Sequence, residues 1–137
     1  MERSCFQQSE SVNFHGKSVS GRTIFYGTCN TDLKPGLGVT FEPYSGNALD
    51  NIDDVSRPVV FVVNGRDSAT HEFPAIMHYY EPEKAWVLND LLPVAFMDQF
   101  GRGDLLTIRN GRGDKVVDFD LHGAAKARET VRRVCHM

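Results

Sequence analysis

The sequence predicts a mainly β fold, either a β-sandwich or a curled antiparallel sheet, with one short interior helix and a C-terminal helix packed on the sheet. Short runs rich in β-branched and aromatic residues alternate with turn signals, most connections are short enough for hairpins, and only two segments show helical spacing. The 137 residues fit one domain with one core. We expect residues 1–22 to form an N-terminal arm and residues 23–137 to form a single β-rich domain.

The first half of the chain contains three strand-like runs after the polar, Ser-rich arm, which is typical of an irregular segment or an edge strand. Thr23–Cys29 is β-branched and aromatic, and the turn Lys34–Gly38 separates it from the next strand, Val39–Tyr44. A polar, acidic loop, Ser45–Arg57, follows. Pro58–Val63, "PVVFVV", is a continuous apolar run of strand length, which predicts a strand covered on both faces.

The middle of the chain predicts a hairpin and further strands. Asn64–Gly65 is the strongest short hairpin signal in the sequence. It leads to Ala69–Phe73 and then Ala75–Tyr80, with Pro74 indicating a break or a sheet edge. After a turn, Ala85–Leu88 predicts another short strand.

The interior helix is predicted over Val94–Phe100. Pro93 suits a first helical position, Phe96 and Phe100 share one face at i,i+4, and Gly101 suits the position just after the helix end.

The last part of the chain predicts a hairpin followed by a helix. Asp104–Arg109 and Lys115–Leu121 are strands joined by the loop Asn110–Asp114, and Ala124–Cys135 is the terminal helix. The helix carries one apolar stripe, which must pack down on the sheet: Ala124, Ala127, Val131, Val134 and Cys135.

Composition limits the classes of partner and location. The net charge of −3 and the pI of about 5.9 give no electrostatic case for nucleic acid. No apolar run approaches the ~20 residues of a membrane-spanning helix. The first residues, "MERSCFQQSE", have no apolar core of a signal peptide. We therefore expect either a cytoplasmic protein or a mature exported protein whose leader lies outside this chain.

Three widely spaced cysteines allow at most one disulfide: Cys5, Cys29 and Cys135. No C-x-x-C motif is present, which excludes the common zinc-ribbon and thioredoxin patterns. One reading is three reduced, buried thiols. The other is a bridge formed in an oxidising compartment, joining Cys135 to Cys29 or to Cys5.

A family resemblance rests on "VVDFDLHGAAKARETVRRVC", where an alternating strand leads through a glycine into an alanine-bearing helix with a late cysteine. This order resembles the C-terminal signature of small exported bacterial proteins related to the invasion-associated locus B family and to a periplasmic accessory protein of type VI secretion. Upstream, Pro93–Val117 is similar to the same pattern of short helix, strand and hairpin. The resemblance implies a periplasmic or secreted location, a β-sandwich and no known chemistry. The matching residues are Phe119, Leu121, Gly123, Ala124, Ala127, Val131 and Cys135.

Two regions are candidates for binding. Tyr79, Tyr80 and Trp86 form an aromatic cluster of the kind enriched at protein contacts, although strands also favour aromatic residues. Arg112 and Asp114 lie in an RGD sequence at a predicted hairpin tip, where turn geometry alone also explains glycine and aspartate.

Metal and catalytic readings are weaker. Asp50, Asp53 and Asp54 are weak calcium candidates without the spacing of an EF-hand, so we predict neither a metal nor a cofactor.

The sequence as a whole favours a non-enzymatic exported protein that binds another protein or an envelope component, as an accessory, immunity or virulence-associated factor. The alternative is a small metal-dependent or hydrolytic enzyme using His71, His78 and neighbouring carboxylates.

Overall fold

The computed structural model describes residues 6–8, 13–30 and 36–135. Within these ranges the chain forms nine strands and two α-helices, α1 (Val94–Arg102) and α2 (Ala124–Cys135). The strands are β1 (Gln7–Gln8), β2 (Asn13–Lys17), β3 (Ile24–Asn30), β4 (Gly36–Glu42), β5 (Ser56–Gly65), β6 (Thr70–Tyr80), β7 (Ala85–Leu88), β8 (Gly103–Asn110) and β9 (Lys115–Asp120).

All of these strands belong to one antiparallel sheet in the order β1-β2-β3-β4-β7-β6-β5-β8-β9. The sheet curls until its two ends meet. The backbone N–H of Val19, just after β2, donates to the carbonyl of Asp118 in β9, and Phe6 donates to His122, both at 2.9 Å. The predicted mainly β fold is confirmed, in its curled-sheet form.

The interior of the curl is filled by aromatic rings from the sheet and from α1. Phe100 packs against Phe14 and Phe25, with ring centroids 5.5 and 5.9 Å apart. One turn earlier, Phe96 contacts Phe61 edge to face. The i,i+4 spacing that predicted the helix therefore identifies the residues that fill the core.

Helix α2 lies against α1 and the start of the sheet through a thin stripe of small residues. Ala124, Ala127, Val131 and Cys135 are buried, as the helical periodicity predicts, and Val134 packs partly against the core. An ion pair between Arg128 and Asp98 of α1, at 3.0 Å, joins the two helices.

A disulfide joins Cys29 of β3 to Cys135 in the last turn of α2. Their Cα atoms lie 6.2 Å apart, within the usual range for a bridge, and 106 positions separate them in the sequence. Of the two partners that the sequence left open for Cys135, the structure selects Cys29. The other candidate, Cys5, lies outside the described residues.

Several local predictions change. The hairpin predicted at Asn64–Gly65 is present, but its turn lies two residues later, where the Gly65 N–H donates to the carbonyl of Ala69. Pro74 does not break its strand, because β6 runs through it to Tyr80. Gly101 does not end α1; it lies inside the helix, where it leaves room for the side chain of Arg128.

The described part of the predicted arm contributes to the sheet and to the core. Asn13–Lys17 forms β2, paired with β3, and the Phe6 and Phe14 side chains are buried. Neither helix in the described ranges has the length and apolar character needed to cross a membrane.

We predict that replacing Cys29 and Cys135 together by serine lowers the free energy of unfolding by about 2–5 kcal/mol, because the bridge closes a loop of more than a hundred residues in the unfolded chain. Chemical denaturation with and without reductant measures this. Reductant should lower the stability of the wild type and leave that of the double variant unchanged. Equal responses of the two proteins would contradict a stabilising bridge.

Candidate functional site

The predicted aromatic contact region is divided by the sheet. Strand pairing places Tyr79 opposite Trp86, with both side chains facing the core, where they are 4% and 0% exposed. The Trp86 indole N–H donates to the Asn51 side chain at 3.0 Å. Only Tyr80 of the three lies on the surface, at 47% exposure. The prediction of an aromatic surface patch is corrected accordingly, because alternate residues of a strand face opposite sides.

The hairpin tip between β8 and β9 is exposed but internally bonded. The buried Asn110 side chain accepts the backbone N–H groups of Arg112 and Asp114, both at 2.9 Å, and donates to the Ala48 carbonyl at 2.7 Å. The Arg112 guanidinium pairs with the Asp114 carboxylate at 3.2 Å. These two residues are therefore held against each other at the rim of the surface described below.

The hydrogen bonds of the tip favour the charged form of Asp114. A bond from the Asn110 amide, then one from Arg112, lowers the pKa of this carboxyl below its ordinary value. The tip is a small hydrogen-bonded unit anchored on Asn110.

The histidines of the enzyme alternative do not converge. On β6, odd-numbered residues such as Met77 and Tyr79 face the core, whereas even-numbered residues face outward. Being seven residues apart, His71 and His78 point to opposite faces of the sheet. His78 lies 2.7 Å from the Asn89 side-chain oxygen on the outer face.

The weak calcium candidates are engaged separately. Asp50 pairs with Arg57 at 3.1 Å, and the Asp53 carboxylate accepts the backbone N–H of Glu81 at 3.1 Å. Asp54 is held through its own N–H, which donates to the Tyr79 carbonyl. Among the described residues, no three histidine, cysteine, aspartate or glutamate side chains are grouped so that they could hold a metal.

An apolar surface that the sequence-based predictions do not include lies on the outer face of β5 and β6. Pro58 lies opposite Ile76 and Val60 lies opposite Pro74, all on outward positions, and we call these four residues the apolar patch. Ile76 is 52% exposed, and both prolines are exposed. The sequence contains a signal for this surface, because "PVV" and "PAI" place apolar residues at outward as well as inward positions. The prediction that Pro58–Val63 is covered on both faces is wrong at Pro58, which is exposed, and at Val60, which is half-buried.

The apolar patch lies at the middle of an elongated depression that we call the outer groove. Its central part has a volume of about 550 Å³. On one side it continues through Pro74 and Ile76 into a part of about 300 Å³, bordered by Leu88–Pro93. On the other side it continues through Pro58 and Gly111 into a part of about 220 Å³ that reaches Arg57 and Arg112.

Beside the groove, β6 has an exposed edge. In the described residues β7 pairs with β6 only over Met77–Tyr80, and Asn89 extends the contact by donating to the Ile76 carbonyl. The hydrogen-bond alternation with β5 turns the backbone of Pro74 toward this edge. Because proline has no N–H to offer there, the edge is a poor template for another strand, and the apolar face beside it is the better contact surface.

No protein-family model, curated protein or solved structure was found to match this chain. The fold and the site thus define a class in structural terms alone: a curled antiparallel sheet closed by two helices, with an apolar groove on its outer face.

We predict that the pKa of the Asp114 carboxyl lies below the ordinary value of aspartate, and that Asn110→Ala and Arg112→Gln each raise it, because the first removes the amide hydrogen bond and the second removes both the guanidinium hydrogen bond and its positive charge. The ionised Asp114 carboxylate stabilises the hairpin tip. This stabilisation should be fully present above the pKa of unfolded aspartate and should be lost as the pH falls through the lowered pKa of the folded protein. Carboxyl-detected NMR titration measures each value. An Asp114 pKa that neither substitution moves would contradict this account.

Proposed function

We propose that this protein works by contact: it is an exported accessory, immunity or virulence-associated factor that binds an extended, uncharged segment of another protein in the outer groove. The observation that carries the proposal is the apolar patch, four apolar side chains on adjacent outward positions of β5 and β6. These side chains project away from the core, so core packing does not account for them. Contiguous exposed apolar surface of this kind is typical of interaction sites.

The shape of the outer groove favours an extended chain as the ligand. The depression runs from Leu91 and Pro93 across the apolar patch to Gly111, and its three parts share lining residues. An extended peptide places a side chain on the same side every second residue and can therefore fill successive parts of such a groove.

The charges at the rim favour an uncharged segment. Arg57 is neutralised by Asp50, and Arg112 by Asp114, each through a contact of 3.1–3.2 Å. A charged partner side chain would have to displace one of these pairs. The apolar centre of the groove would supply the affinity, and the polar rim would set the position of the segment.

The disulfide supports the exported location in this proposal. Bridges of this kind persist in oxidising compartments such as the periplasm and are rare in a reducing cytosol. The resemblance of Phe119–Cys135 to exported bacterial proteins suggests the same location and a role without a reaction of its own.

We predict that peptides selected on the wild-type protein from a random library are apolar and uncharged, and that Ile76→Ser weakens their binding about three- to tenfold. Burying a fully exposed isoleucine side chain contributes about 1.5–3 kcal/mol, and tenfold corresponds to about 1.4 kcal/mol. Because Ile76 is 52% exposed before binding, about half of that contribution is available to the peptide. Calorimetry with the selected peptides measures the change in affinity.

The matched control is Tyr26→Ser, which removes a 39% exposed side chain from β3, outside the groove. Thermal unfolding of both variants establishes that each is folded. Equal affinities for the wild type and Ile76→Ser, or selection of mainly charged peptides, would refute the groove as the binding site.

We also predict that protein taken from its native source and alkylated without reductant contains one free thiol, because Cys29 and Cys135 are paired and the chain has three cysteines. Mass spectrometry counts the alkyl groups. Three alkylated cysteines would remove the argument for an oxidising compartment and would leave the groove proposal to the peptide experiment.

A further inference from the structure

A second depression, of about 400 Å³, lies where the β5–β6 hairpin meets the C-terminal end of α1. We call it the hairpin cleft. It shares no lining residue with the outer groove. Its lining is polar and is made by Gly65, Arg66, Asp67, His71, Gln99 and Arg102.

The close approach of two backbone segments forms this cleft. Gly65 at the end of β5 pairs with Gly103, the first residue of β8, where the strand register shifts. A Cβ atom at Gly103 would lie 2.5 Å from a methyl group of Val63 and 2.8 Å from one of Leu121, so a larger residue would force these side chains to move. The junction brings Arg66 of the hairpin and Arg102 at the end of α1 to the same depression.

The cleft collects hydrogen-bond donors that have no partner in the described structure. The side chains of His71, Gln99 and Arg102 make no hydrogen bond or ion pair with the described residues. Arg66 has a single exposed contact, with Asp104 at 3.4 Å. In the outer groove, by contrast, Arg57 and Arg112 are each paired with an aspartate.

The two acidic groups at the cleft are already engaged. Asp67 accepts the backbone N–H of Ala69 at 3.0 Å and so belongs to the hairpin turn. Asp104 is the partner of Arg66. Arg66 and Arg102 can only donate hydrogen bonds, and Gln99 and His71 can each supply a donor as well, so the group that would engage all four side chains is an acceptor with negative charge.

We propose that the hairpin cleft binds an oxyanion, a carboxylate or phosphate group carried by a ligand. Arg102 offers the planar pair of N–H donors that matches two oxygens of such a group. Gln99 and His71 provide further donors from α1 and β6, and Arg66 adds a second positive charge from the hairpin. This site is separate from the outer groove, because it is lined by different residues and would bind a different chemical group. It would therefore add a second binding site to the proposed role in protein contact.

The experiment is an NMR titration of the whole chain with inorganic phosphate and, separately, with acetate, at constant ionic strength. Saturable shifts are expected at the amides of Gly65–His71 and Gln99–Gly103. Saturation by phosphate alone identifies a phosphate group as the ligand, and saturation by both anions identifies the wider carboxylate class. Shifts that stay linear with both anions, or that map elsewhere, overturn the proposal.

Two variants and a control test the roles of the arginines. Arg102→Gln should weaken binding at least fivefold, and Asp104→Asn should strengthen it at least twofold by freeing Arg66. Arg22→Gln, at an exposed turn outside the cleft, is the matched control and should bind like the wild type. Unchanged affinity in Arg102→Gln overturns the site, whatever the selected peptides show at the outer groove.

Discussion

The stacking of α1 against the inside of the curled sheet is the interaction on which the rest of the structure depends. Phe100 lies beside Phe14 of β2 and Phe25 of β3, and Phe96 lies beside Phe61 of β5, so one short helix contacts both halves of the sheet. Protein interiors are packed nearly as densely as crystals, and the curl therefore persists only while these rings fill it. The disulfide then fixes α2, whose small side chains alone would bury little apolar surface.

The same packing decides where the protein can make contacts. The inward side chains of β5 and β6 pack against the core and the aromatic rings of α1. The outward side chains of these strands therefore form a surface. Over most of a sheet such positions are polar, but here they carry the apolar patch. Pro74 disfavours pairing along the β6 edge, so the binding that we propose uses the face of the sheet and a ligand recognised by its side chains.

The two candidate sites differ in whether their arginine side chains are paired with aspartates. Around the outer groove each rim arginine has an aspartate within about 3 Å, which leaves apolar contact as the source of affinity. At the hairpin cleft, Arg102 lacks such a partner among the described residues, and the neighbouring acids are occupied by the turn and by Arg66. The first site therefore suits an uncharged segment and the second an anionic group, and the two can be occupied independently.

The sequence by itself determined the antiparallel sheet, the helix with Phe96 and Phe100, and the buried stripe of α2, because each follows from a local periodicity of two or 3.6 residues. It could not place Tyr79 and Trp86, since the face to which a strand residue points depends on pairing with β5 and β7. It left the partner of Cys135 open for the same kind of reason. Only the tertiary structure chose Cys29 and brought Arg66 to Arg102, because these placements join residues far apart in the chain through the curl of the sheet. The alignment of Val60 with Pro74 depended on the register of the β5–β6 hairpin, which its turn sets two residues later than the sequence predicts.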